Sequence, residues 1–169
     1  MPGKEIKRRK AMGNVFSASE IVRLGILIEQ NGYDFYREAA AAAKSEKTKE
    51  IFEYLAKEEQ QHEKTFRGMI PELDNYEPPE SASEEYLEYL KALSREHVFT
   101  EKNRGKETAA EITSDMKALD LAIGFEKDSI LLFHEMKNLV PEHGYPLING
   151  LIDQEREHLR KLSTLRATL

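Results

Sequence analysis

The sequence predicts an all-α chain in which four long helices form two hairpins, joined by a long crossover that carries a short extra helix. Three observations predict it. Apolar residues recur at helical spacing through four long stretches, and no stretch alternates as a strand would. Prolines and capping residues punctuate those stretches at their ends. The connection between the second and third stretch is roughly forty residues long, well beyond the usual link in a compact domain. A crossover of that length joins two separate hairpins and does not suit a plain up-down-up-down bundle.

Residues 1–16 read as a flexible tail, and 17–169 as a single domain. Ser17-Ala-Ser-Glu20 has the form of a capping box and opens the first helix, with Ile21, Leu24, Ile28, Phe35 and Ala39 on its apolar face, continuing to about Lys44. Ser45 is placed to cap the second helix, whose apolar side carries Ile51, Phe52, Leu55, Phe66 and Met69 and which Pro71 should end. Residues 70–82 hold three prolines and read as a loop. Glu84 to His97 reads as a short amphipathic helix, and Phe99 to Thr108 as a polar connection. The third long helix starts near Glu111 to Ser114 and reaches about Val140, before Pro141 and Gly144. Pro146 suits the first turn of the fourth, which continues almost to Leu169.

Composition narrows the chemistry. A chain of 169 residues, 40% hydrophobic and 33% charged, is long enough for one domain with a real core. Twenty-five basic against thirty-one acidic residues leave a net charge of −6, which gives no reason to expect nucleic acid. No apolar run approaches a membrane span. The basic stretch from Lys4 to Lys10 has no apolar segment after it, so it does not read as a secretory signal, and a cytoplasmic location is the default expectation. The absence of cysteine excludes disulfides, iron–sulfur clusters, zinc–thiolate sites and cysteine nucleophiles together.

Two short segments match each other. Glu59-Gln-Gln-His62 and Glu155-Arg-Glu-His158 are both Glu-x-x-His, and of five histidines only these two have a glutamate three residues before. Glu29 lies 30 residues before Glu59, and Glu126 lies 29 before Glu155, each inside an apolar run. Glu and His three apart share a helix face. With turns near residues 45 and 142, a rise of about 1.5 Å per residue brings all four glutamates to matching heights, mid-helix.

The neighbours repeat as well. Gly25, Glu29, Gly32 and Tyr36 parallel Ala122, Glu126, Ser129 and Phe133; Leu55, Glu59, His62 and Phe66 parallel Leu151, Glu155, His158 and Leu162. The glycines cost about 1 kcal/mol each against alanine. They either make room beside Glu29 or allow close helix approach. Four ionised glutamates in an apolar core need neutralising, and two divalent ions would supply that charge. Carboxylate and imidazole donors suit iron or manganese, with zinc as another occupant. Glu58 and Gln154, four residues before the two histidines, are placed to accept an imidazole N–H. His97, His134 and His143 carry no partner pattern and are assigned to surface or packing.

These residues resemble the ferritin-like di-iron carboxylate superfamily, most closely its rubrerythrin-like branch, over about residues 18–166. The resemblance implies a ferritin-like bundle with two irons in its core. Glu29 and Glu126 would be terminal ligands, Glu59 and Glu155 would bridge, and His62 and His158 would each bind one iron. Tyr36 matches the tyrosine such sites place beside the metals, and is the candidate catalytic residue. The resemblance implies reaction with dioxygen or hydrogen peroxide and a homodimer. Rubrerythrins proper carry a further glutamate three after the helix-three ligand; Ser129 stands there in this chain, which argues against ligand switching and efficient peroxide reduction. Without cysteine there is no iron–cysteine electron-transfer domain, so electrons are expected from a separate donor. The activities that fit are a peroxidase or ferroxidase type of oxidoreductase, iron detoxification, or oxygenation of an organic substrate; a bundle holding zinc is the structural alternative.

Overall fold

The computed structural model describes residues 17–76, 83–97 and 99–169. The expected flexible tail, and Pro78 and Pro79 of the expected loop, lie outside the described residues. Helix α1 (Ala18–Ala42) and α2 (Glu46–Leu73) pack side by side, as do α5 (Asp115–Met136) and α6 (Tyr145–Arg166). Between the hairpins run α3 (Glu84–Glu96) and the short α4 (Arg104–Ala109). No strand occurs among the described residues. The molecule is a four-helix bundle of ferritin-like type.

The helix starts follow local chemistry. Ser17 and Glu20 form the reciprocal capping box, each side chain bonding the other's backbone N–H. Ser114 caps α5 through Lys117 N–H, and Ser83 caps α3 through Tyr86 N–H. Pro146 sits in the first turn of α6 as expected, after a 3₁₀ turn at Glu142–Gly144. Ser45 does occupy the N-cap of α2, but its side chain makes no capping bond. Asp115 of α5 acts in its place, accepting from Lys44 N–H and Ser45 N–H at 2.9 Å each. The turn of one hairpin is thereby tied to the start of the other.

Three expectations are corrected. Pro71 does not end α2; it lies within the last turn, which runs on to Leu73. A proline there forfeits one intrahelical bond, while Leu73, 3% exposed, draws the turn into the core. Helix α5 stops at Met136, short of Val140; Leu139 and Val140 are still buried, in the turns that follow. The polar connection after Phe99 contains a second crossover helix, α4. Its six residues show almost no apolar period, so only tertiary docking holds it.

That docking is local and tight. Asn31, buried on α1, donates from Nδ2 to the carbonyls of Phe99 (2.8 Å) and Glu101 (2.7 Å), and its Oδ1 accepts from Gly105 N–H (3.0 Å). A Cβ on Gly105 would lie 2.0 Å from the Asn31 carbonyl oxygen, so only glycine lets α4 lie this close to α1. The crossover is thus fixed at a residue two positions after Glu29.

Candidate metal centre

All sixteen residues of the four repeated rows are buried. The apolar members form the layers above and below a polar centre made of Glu29, Glu59, His62, Glu126, Glu155 and His158, each no more than 1% exposed. The six candidates that the sequence singled out therefore meet at one place, contributed by α1, α2, α5 and α6.

Glu155 stands between the two imidazoles. Its Oε1 lies 2.8 Å from His62 Nδ1 and its Oε2 lies 3.0 Å from His158 Nδ1. His62 Nδ1 is also 3.4 Å from Glu29 Oε2. His158 Nδ1 is 3.6 Å from Glu59 Oε1 and 3.7 Å from Glu126 Oε1. The rings stack with centroids 5.4 Å apart and planes 14° from parallel. Two groups of donors result, each with its atoms within 4.8 Å of one another: Glu29, Glu59, His62 and Glu155, and Glu59, Glu126, Glu155 and His158. Glu59 and Glu155 belong to both; Glu29 and Glu126 to one each.

Hydrogen bonding leaves this centre unsatisfied. Of ten buried side-chain polar atoms without an aligned hydrogen bond among the described residues, nine belong to these six residues, the other being the Thr48 hydroxyl; His62 Nδ1 and Glu155 Oε1 are among the nine, since their 2.8 Å contact is one of charge and not an aligned hydrogen bond. Native interiors hold few such atoms. Here they concentrate at one point and converge on each other, an arrangement that fits cations as the shared partner.

The protonation of these side chains in the absence of metal follows from burial. Burial, with the neighbouring carboxylates, holds Glu29, Glu59 and Glu126 well above the usual carboxylate range. For Glu155 burial acts upward too, but His62 and His158 outweigh it and hold its carboxyl low. Burial pulls His62 down, yet Glu155 and Glu59 raise it to about 9. Around the His62–Glu155 ion pair, burial thus favours the protonated form of the other three acids. This is the proton uptake that the charge arithmetic demands when no metal is bound.

Tyr36 is fully buried, and its hydroxyl donates to Glu126 Oε1. Burial, with Glu126 beside it, raises its pKa well above the ordinary phenol value. Tyr36 lies among Phe35, Phe52 and Phe125, with ring centroids 5.3–6.0 Å away. The glycines divide in role. A Cβ on Gly32 would meet Phe125 at 2.9 Å and Glu59 Oε2 at 3.0 Å, so this glycine makes room for a donor carboxylate, though for Glu59 and not for Glu29. A Cβ on Gly25 would meet Phe66 at 3.1 Å and Met136 at 3.2 Å, so Gly25 serves helix packing.

Sequence reasoning missed two further relations. Glu58 and Gln154 sit beside the histidine of the opposite hairpin: Glu58 Oε2 is 4.0 Å from His158 Nε2, and Gln154 is close enough to His62 to favour its protonated form. Spacing within one helix cannot reveal a pairing across two. His97, expected as surface or packing, is buried. Its Nδ1 accepts from Phe99 N–H and its Nε2 is 3.2 Å from the Ser129 hydroxyl. Burial lowers it to about 4, so it is neutral. Ser129, standing where the family resemblance implied a glutamate, is thus engaged by the crossover. His134 and His143 lie at the surface, near Arg156 and Glu72.

The comparisons with known proteins agree with this geometry. No curated protein sequence matches the chain significantly. A crystal structure from Thermotoga maritima, of a protein assigned provisionally as a ferritin-like diiron-carboxylate protein, superposes with a TM-score of 0.64 at 30% identity. The match covers 89% of this chain and 95% of that one. The rubrerythrin family model matches residues 20–165, which span all four bundle helices and the site between them. The chain belongs to the rubrerythrin family.

Proposed function

We propose that this protein is a di-iron carboxylate oxidoreductase, binding two irons in the bundle core and reacting with dioxygen or hydrogen peroxide. The observation that carries the reading is the pair of buried donor groups that share Glu59 and Glu155. Two shared carboxylates and one private Glu–His pair on each side make a dinuclear centre. Glu29 and His62 would hold one iron, Glu126 and His158 the other, with Glu59 and Glu155 between. Manganese or zinc would fit the same donors. When bound, the metals supply paired one-electron redox steps to an oxidant.

The chain's own residues do the rest. Phe35, Phe52 and Phe125 keep water from Tyr36. Tyr36 holds a proton on its hydroxyl beside Glu126 Oε1 and fixes that carboxylate's rotamer. His97 stays neutral and holds Ser129. Phe66 and Met136 fill the space over Gly25, and Phe125 and Glu59 that over Gly32. A sizeable organic substrate is not favoured there, which supports oxidant or iron chemistry over oxygenation of an organic molecule. Electrons would come from a separate donor. A homodimer fits the exposed Tyr89 of α3 and Leu131 of α5.

The test is anaerobic loading with Fe(II), then mixing with limiting peroxide or air. A charge-transfer absorption in the near ultraviolet and two electrons withdrawn per oxidant bond broken are expected. Sustained turnover with an added reductant marks a peroxidase type. Oxidation of many irons per chain without reductant marks a ferroxidase type. A colourless protein whose melting temperature ignores Fe(II) would overturn the proposal.

A further inference from the structure

A third set of donors shares its two histidines with the groups just described and adds Glu58. Glu58, His62 and His158 each offer an atom, all within 4.8 Å of one another. In both histidines Nδ1 is turned toward the central carboxylates. Nε2 lies on the other side of each ring, and in both it is buried without a hydrogen-bond partner. Glu58 reaches out from this point, its side chain 32% exposed. Its Oε2 stands 4.0 Å from His158 Nε2. That gap is too wide for a hydrogen bond. A cation with bonds of about 2.0–2.2 Å would draw the two atoms closer together, a movement the partly exposed Glu58 side chain can make.

Beside it, the Tyr54 ring stands edge-on to His158, with centroids 6.3 Å apart. Lys161 lies over the Tyr54 ring at 4.3 Å and is 3.7 Å from Glu157. The flank is covered, and Glu58 carries an anionic, solvent-reaching group directly outside His158.

We propose that Glu58 and the outward nitrogen of His158, with His62 beside them, form a transient port site that captures a divalent cation from solvent and hands it to the buried centre. The inference rests on the dinuclear reading of that centre. A neutral imidazole has one lone pair, so a ring that holds an ion through Nδ1 presents N–H at Nε2. Once His158 holds an ion through Nδ1, its Nε2 carries that N–H, and Glu58 becomes the acceptor that fixes the ring. Filling the centre closes the port.

The test is stopped-flow uptake of Co(II) by metal-free protein, read by its visible absorption, in wild type, Glu58→Gln, Glu58→Asp and, as a remote control, Glu72→Gln. An anionic group at a buried mouth raises cation capture tenfold or more. Uptake by Glu58→Gln should therefore slow about tenfold, with the final Co(II) content equal to wild type; Glu58→Asp should recover most of the rate, and Glu72→Gln should match wild type. Equal rates in wild type and Glu58→Gln would overturn the port. So would a lower final content at an unchanged rate, which would make Glu58 only a support for His158. A wild-type content below two per chain would instead count against the dinuclear centre itself.

Discussion

His62 on α2 and Glu155 on α6 face each other across the bundle, Nδ1 to Oε1 at 2.8 Å, and form an ion pair, the imidazole held high and the carboxyl held low. Three raised glutamic acids and one raised imidazolium give four protons that metal must displace. Loading two divalent ions near neutral pH should release about four protons per chain. A weakly buffered titration with a pH indicator measures this, and a release near zero would show that the carboxylates are already ionised.

The same shifts set the pH dependence of the empty protein. His62 is raised from 6.5 to about 9, so its contribution is complete below the unfolded value and lost as pH rises through the folded one. Glu29, Glu59 and Glu126 act in the same direction, since their folded values are also raised. Glu155, held low, contributes at every pH in this window. Metal-free protein should therefore melt at progressively lower temperature from pH 6.5 to 9, and metal-loaded protein should not. Thermal melts across that range, with and without metal, check it.

Tyr36→Phe removes the hydroxyl that donates to Glu126. The ring packing against Phe35 and Phe125 survives, so the fold should hold, with a loss of about 1–2 kcal/mol. The carboxylate loses its anchor, and affinity for the metal ion shared with His158 should fall by about 10- to 100-fold. Calorimetric titration distinguishes this from a uniform weakening of both ions.

Gly32→Ala and Gly105→Ala should fail in different ways. The first drives a methyl against Phe125 and Glu59, so metal affinity should drop more than stability. The second drives a methyl into the Asn31 carbonyl, backbone against backbone, and should cost about 2–4 kcal/mol with the six donors untouched. Denaturant melts paired with metal titration separate the two.

The fold and the convergence of the six side chains were legible because both rest on periodicity. Glu–x–x–His puts two side chains on one helix face whatever the partner helix does, and matched distances from the two turns bring those two faces to the height of Glu29 and Glu126. Ser17 and Pro146 read correctly because capping is local. What stayed hidden was tertiary. Leu73 pulls the helix past Pro71, and Asp115 caps α2 from another hairpin. Asn31 and Gly105 hold α4 by contacts 74 residues apart. The crossed placing of Glu58 and Gln154 depends on how α2 and α6 meet, which no single-helix pattern encodes.

The account depends most on Glu59 and Glu155 belonging to both donor groups. Anaerobic Fe(II) titration of the wild type and of the Glu59→Ala/Glu155→Ala double variant, with metal analysis after gel filtration, tests this most directly. Two irons per chain are expected in the wild type and none retained in the double variant. Two irons per chain in the double variant would contradict it.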